Sequence, residues 1–84
     1  MKKETPEKSK ILKDFGANLE RLIYKKFKSR DAFLDKTDIY KANLHRIING
    51  QDEPKLTTLY KIADRLGMEV QELFPKYDAK DEKK

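Results

Sequence analysis

Cysteine and tryptophan are both absent from the 84 residues, and His45 is the only histidine. Those gaps exclude disulfide stapling, thiol chemistry and a Cys/His zinc site, so stability has to come from packing. Only three glycines and three prolines occur, and their placement makes neither a glycine-rich phosphate loop nor a flexible linker. No apolar run approaches the roughly 18 residues that a membrane span requires, and the Lys-rich start lacks the apolar stretch of a secretory signal. The expected location is the cytoplasm, and no cofactor is expected. With no Ser/His/Asp or Cys/His set, and too little chain to enclose a substantial pocket, catalytic activity is not expected either.

What is present is charge. Charged residues make up 42% of the chain and apolar residues 37%, with a formal net charge of +5 and a sequence pI near 9.4. Such a balance favours polyanionic partners without naming one. Residues 21–30 hold Arg21, Lys25, Lys26, Lys28 and Arg30 and no acid, a cluster able to neutralise phosphates. The plainer reading is a solvated face, or cations that complement the C-terminal end of a helix dipole.

The apolar positions are periodic, which argues for a folded domain rather than disorder. Ile11, Leu12, Phe15, Leu19, Leu22 and Ile23 form one helical stripe, predicting a first helix over about residues 9–27. Gly16 is a weak point inside it, costing about 1 kcal/mol relative to Ala. Ser29 is a good N-cap for a short second helix that buries Phe33 and Leu34 and ends near Lys36. Ile39 anchors the turn that follows. A third helix, residues 41–49, buries Leu44, Ile47 and Ile48 and stops at Gly50. A polar loop closed by Pro54 leads to a fourth helix, capped by Thr57, that carries Leu59, Ile62, Ala63 and Leu66 and ends at Gly67. A fifth short helix, residues 69–74, presents Val70, Leu73 and Phe74 before Pro75. Residues 1–8 read as a flexible arm, 9–75 as the domain and 76–84 as a charged tail. The expected architecture is all-α, with five helices around one core.

The second helix, the turn and the third helix ended by glycine make a helix-turn-helix unit. Residues 15–74 resemble the phage repressor and Cro-like family of transcriptional regulators, also called the XRE family. The resemblance rests on Ser29, Phe33-Leu34, Ile39, Leu44, Ile47, Asn49-Gly50, Pro54, the Leu59, Ile62, Ala63 and Leu66 set, and Glu72-Leu73-Phe74, in order and without gaps. Asp38 stands where the family usually has a turn glycine, and Asp tolerates a left-handed conformation at modest cost. Tyr40 stands where Ser or Thr often caps the third helix. Arg30 replaces a frequent Gln, and Ile48 a frequent Glu. The resemblance implies a five-helix domain of the lambda-repressor kind, bacterial or phage-encoded.

An α-helix fits the major groove of B-form DNA and reads base edges from its outer face. If Leu44, Ile47 and Ile48 face inward, the helical period of about 3.6 residues turns Lys41, Ala42, Asn43, His45 and Arg46 outward. Lys41 and Arg46 suit the O6/N7 edge of guanine, Asn43 suits adenine and Ala42 a thymine methyl. For His45 the alternative is an ordinary exposed helix residue. The resemblance adds Arg30, Tyr40, Asn49 and Lys55 as phosphate contacts, although Asn49 also suits local capping of its own helix. It further implies a homodimer joined near the last helix by Leu73, Phe74 and Tyr77, with recognition helices about 34 Å apart on a palindromic operator. Those same three side chains could instead seal the core, and Tyr60 reads as core edge or dimer surface. The expected function is a sequence-specific double-stranded DNA-binding regulator, a repressor or autoregulator. The alternative is a protein-interaction module, or the antitoxin of a toxin-antitoxin pair, on the same fold.

Overall fold

In the computed structural model, which describes residues 6–76, four α-helices are followed by one 3-10 turn: α1 Lys8–Lys26, α2 Arg30–Leu34, α3 Lys41–Ile48, α4 Leu56–Leu66, and the turn Val70–Leu73. The fifth helix expected at residues 69–74 is therefore a 3-10 turn rather than an α-helix. Gly67 and Pro75 leave room for little more than one turn, a length at which the 3-10 form is common. A capping box between Glu69 and Glu72 satisfies its start. Lys8, expected in the arm, opens α1, while residues 1–5 of the arm and 77–84 of the tail, including Tyr77, lie outside the described residues. Among the described residues no helix is long and apolar enough to cross a membrane.

The core follows the apolar spacing. Phe15, Leu19 and Ile23 of α1, Phe33 of α2, Leu44, Ile47 and Ile48 of α3, Ile62, Ala63 and Leu66 of α4, and Leu73 are buried in one cluster. Leu22, Phe27, Leu34, Ile39 and Leu59 pack against its edge. Cations close the helix ends around it. Lys26 donates from Nζ to the Leu66 carbonyl at 2.6 Å, and Arg65 donates from Nε and Nη2 to the carbonyls of Phe33 (2.8 Å) and Ala32 (2.9 Å) while stacking over the Phe27 ring at 4.7 Å. The last carbonyls of α2 and α4 are thus neutralised by side chains from neighbouring helices. Thr57 is not the cap of α4: the helix begins one residue earlier at Leu56, with Lys55 at the cap position and no side-chain cap bond.

Gly16 is a requirement rather than the weak point its propensity suggests. A Cβ there would stand 2.7 Å from the Ile47 carbonyl oxygen and closer still to that of Ile48, both backbone atoms of α3. At the same crossing Gly50 has φ +76, and a Cβ on it would meet Lys13 of α1 at 2.7 Å. Gly50 donates to Ile47 O at 3.1 Å and Gln51 to Arg46 O at 2.8 Å, the paired bonds of a Schellman motif. α4 ends the same way, with Gly67 donating to Asp64 O and Met68 to Ala63 O.

Between α2 and α3 the left-handed residue is Lys36, at φ +70, and not Asp38. α2 stops at Leu34, two residues earlier than expected. Asp35 (φ −56, ψ 133) and Lys36 then form the two central positions of a type II turn, closed by Thr37 N–H on Leu34 O at 2.9 Å. Thr37 Oγ1 donates to the same carbonyl at 2.7 Å and accepts from Ile39 N–H at 3.3 Å, so the polar turn seats Ile39 against the core.

Two substitutions check this description. Gly16→Ala should destabilise the fold by about 1–3 kcal/mol through overpacking, despite alanine's better helix propensity; a rise in melting temperature would contradict the α1–α3 approach. Lys36→Gly should stabilise by about 0.5–1 kcal/mol, since an L side chain at positive φ costs about 1–2 kcal/mol and glycine's greater unfolded entropy returns part of that. Chemical denaturation of both variants reads the sign directly.

Candidate nucleic-acid interface

α3 is amphipathic in the required sense. Leu44, Ile47 and Ile48 are buried, whereas Lys41, Ala42, Asn43, Arg46 and Asn49 are exposed. His45 is half-buried. Of the five residues expected to reach bases, four share an open face and His45 lies at its edge. The N-terminus of α3 has Tyr40 at the cap position, 76% exposed, with no side-chain cap bond and no acid in the first turn. α2 differs, since Ser29 Oγ accepts from Ala32 N–H at 3.0 Å and Asp31 sits in its first turn. An N-terminus with unpaired N–H groups and no acid favours an anion in front of it.

The basic side chains of this face are held by carboxylates of the same chain. Lys41 Nζ pairs with Asp31 at 2.9 Å and Arg46 Nε with Asp52 at 2.7 Å, all four side chains being roughly half exposed or more. Exposed pairs contribute about 0–1 kcal/mol, so the single Lys41–Asp31 contact yields to another anion at small cost. Arg46 Nη2 also donates to Asn43 Oδ1 at 2.7 Å.

Arg30 is turned inward. Its Nη2 donates to Glu20 Oε2 at 2.8 Å, its Nη1 meets His45 Nδ1 at 2.6 Å, and its side chain is only 21% exposed. A guanidinium has no acceptor, so His45 Nδ1 must accept and the neutral ring carries its proton on Nε2. Among the described residues the Glu20–Arg30–His45 chain therefore ties α1, α2 and α3 together at the place where a phosphate contact by Arg30 is expected. Asn49 ends α3 with its N–H on His45 O at 3.0 Å, and its side chain is exposed. Lys55 is exposed at the start of α4, which likewise has no side-chain cap and no acid in its first turn. Between the starts of α3 and α4 runs a groove of about 460 Å³ whose lining includes Asp38, Tyr40, Asn43, Asp52, Lys55 and Lys61.

Residues 18–76 match the family model described as the Cro/C1-type HTH DNA-binding domain. The chain belongs to that family. Comparison with curated proteins and with solved structures returns no match. A Cro/C1-type domain is a DNA-binding one, and the resemblance expected from the sequence stands.

Within this Cro/C1-type domain the pairing of three acids is not readable from the sequence, although Asp31 is expected, and found, in the first turn of α2. Asp31 and Glu20 are paired across elements, and Asp52 lies six residues after Arg46, outside the i+3 and i+4 spacings by which helix charge pairs are found. Only the chain reversal at Gly50 brings Asp52 back. The Asn43–Arg46 contact, at i+3, was findable. The basic cluster of residues 21–30 is divided: Lys26 and Arg30 bond to the protein itself, Arg21 Nη2 donates to Asn18 at 2.7 Å, and Lys25 and Lys28 are exposed. Of the expected dimer residues, Leu73 is fully buried in the domain's own core, so it seals rather than projects. Phe74 is 45% exposed and packs its inner side on Phe15, ring centroids 5.3 Å apart.

The imidazole assignment is open to direct measurement. At a pH where His45 is neutral, long-range proton–nitrogen spectra should give the Nε2–H tautomer, and Arg30→Met should lift that restriction. A dominant Nδ1–H form in the unsubstituted chain would mean that Arg30 does not donate to the ring.

Proposed function

We propose that this domain is a sequence-specific transcriptional regulator of double-stranded DNA, acting as a repressor or autoregulator, with α3 read into the major groove. The supporting observation is the division of α3, whose aliphatic side is buried while Lys41, Ala42, Asn43 and Arg46 stand open together. In this reading Arg46 and Lys41 bond guanine, Asn43 bonds adenine and Ala42 meets a thymine methyl, with His45 contributing from the edge through its Nε2 donor. Tyr40 and Lys55 hold phosphates at the uncapped starts of α3 and α4 and Asn49 at the end of α3, and Arg30 joins them on exchanging Glu20 for a phosphate.

A homodimer on a palindromic operator is part of the proposal, with Phe74 as its described contact and Tyr77 beyond the described residues. Phe74 lines an apolar hollow of about 150 Å³ with Ile11, Leu12, Leu59 and Pro75. Leu56 and Tyr60, four apart on α4, are 67% and 59% exposed. These apolar surfaces also support a second, compatible reading in which the domain holds a protein partner, as an antitoxin would. The proposed location is the cytoplasm, for a chain that is bacterial or phage-encoded and nucleoid-associated when bound.

Selection of bound sites from random duplexes, followed by single substitutions, tests the main reading. A dimer that neutralises six to eight phosphates should show a log–log salt slope of roughly −5 to −7. Arg46→Ala should relax preference at one base position per half-site, at about 1–3 kcal/mol, while Lys55→Ala should weaken all sites alike. Enrichment of no sequence at all would remove the specific-regulator reading, and identical behaviour of the two variants would remove the assignment of roles.

A further inference from the structure

Arg46 is a long side chain at the surface, and left to itself it would sample many rotamers. Here it is gripped along one edge. Nε donates to Asp52 Oδ2 and Nη2 to Asn43 Oδ1, both at 2.7 Å. Asp52 reaches it because the Schellman turn at Gly50 folds the loop back over the end of α3. The backbone repeats the connection, with Gln51 N–H on Arg46 O at 2.8 Å and Asp52 N–H on the same oxygen at 3.3 Å. Asp52 therefore holds Arg46 at both ends, by its carboxylate at the guanidinium and by its amide at the carbonyl.

A guanidinium carries five N–H groups in a rigid plane. With Nε given to Asp52 and Asn43 taking the Nη2 hydrogen beside it, one hydrogen on each of Nη1 and Nη2 is left along the end edge of the plane. That parallel pair matches O6 and N7 of a guanine. The other acid of the loop, Glu53, has no such contact: its carboxylate lies 3.6 Å from Lys8 Nζ, and both are well exposed. Two neighbouring carboxylates thus carry equal charge but different geometry.

We propose that Asp52 is a specificity-determining positioning residue, which fixes the guanidinium of Arg46 edge-on for guanine and, through Arg46, orients the Asn43 amide beside it. This rests on the reading of α3 as the base-reading helix. As a carboxylate near a polyanion, Asp52 lowers affinity for any duplex; as the brace of Arg46, it raises discrimination. Its removal therefore moves those two quantities in opposite directions, which a purely electrostatic or purely structural residue does not do.

The experiment compares Asp52→Ala, Asp52→Asn and Glu53→Ala with the unsubstituted chain, measuring binding to the selected site, to that site with each base replaced at the Arg46 position, and to unrelated duplex. Asp52→Ala should lose about tenfold in discrimination at the position that Arg46→Ala relaxes, with a smaller loss at the Asn43 position, while binding unrelated duplex more tightly. Asp52→Asn, which keeps an acceptor oxygen, should retain part of the discrimination. Glu53→Ala should tighten all duplexes alike with preference unchanged. Melting temperatures near that of the unsubstituted chain establish that each variant folds. In the free protein, the Arg46 Nε–H resonance should exchange more slowly with Asp52 than without it, a readout that needs no DNA. If Asp52→Ala behaves as Glu53→Ala does, with tighter binding and unaltered base preference, the inference is overturned. Failure of the unsubstituted chain to select any sequence overturns the regulator reading instead, and this inference falls with it.

Discussion

The approach of α1 to the C-terminal end of α3 governs the rest of the structure. Two backbone surfaces meet there because residue 16 has no Cβ to separate them, and the chain leaves the contact through a left-handed Gly50 that lies against Lys13. Without that approach Leu44, Ile47 and Ile48 could not all reach the core side of α3 while its polar side stays open. A helix of eight residues is too short to be stable by itself. Its orientation is therefore borrowed from α1, which is more than twice as long, and the groove-facing side chains inherit their placement from a contact on the opposite surface.

Charge divides between two kinds of work. Lys26 and Arg65 have their cationic groups on backbone carbonyls at helix ends, where a partly buried donor replaces water and a dipole end is neutralised. Lys41 and Arg46 instead face carboxylates in exposed positions; the Lys41–Asp31 pair is worth little and exchanges easily for another anion, whereas Arg46 is held by a second side-chain bond, to Asn43. The high charge content is thus compatible with an ordered domain, because part of it is structural and the remainder is reserved for the surface.

Much of this was legible in the residues. Apolar spacing locates four helices within one or two residues of their observed ends, and Gly50 and Gly67 mark the stops of α3 and α4, because both signals are local. What failed was nonlocal. Gly16 looked like a cost because propensity counts the helix alone and not the neighbour pressed against it. Asp38 was assigned the left-handed position by residue preference, whereas the early end of α2 moved that position to Lys36, a residue with no preference for it. Thr57 looked like a cap, but α4 starts one residue before it. The last segment kept its buried Leu73 but not its helix type. Among site residues, Lys41, Ala42, Asn43 and Arg46 emerged on the open face from period alone, while the Glu20–Arg30–His45 chain depends on how three helices converge and could not be read from spacing.

A helix N-terminus leaves N–H groups that a side chain, water or an outside anion must satisfy. This chain supplies its own acceptors at two of them, Ser29 for α2 and the Glu69–Glu72 box for the closing turn, and both ends have an acid in the first turn. It supplies no side-chain cap and no acid in the first turn at the starts of α1, α3 and α4, and residues from the last two of these line one groove together with Lys61. The three carboxylates in that groove each face a cation instead, Asp38 bonded to Lys61 at 3.1 Å, Asp52 to Arg46, and Glu53 lying 3.6 Å from Lys8 Nζ. Two positive helix ends converging on a surface with cations beside them form an environment that a regularly spaced polyanion satisfies better than scattered counterions do. The loop geometry that braces Arg46 also opens this groove, because both depend on the chain turning back at Gly50. The placement of Arg46 and the shape of the groove therefore share a single structural cause, and a change that loosens the α1–α3 crossing should be felt in both at once.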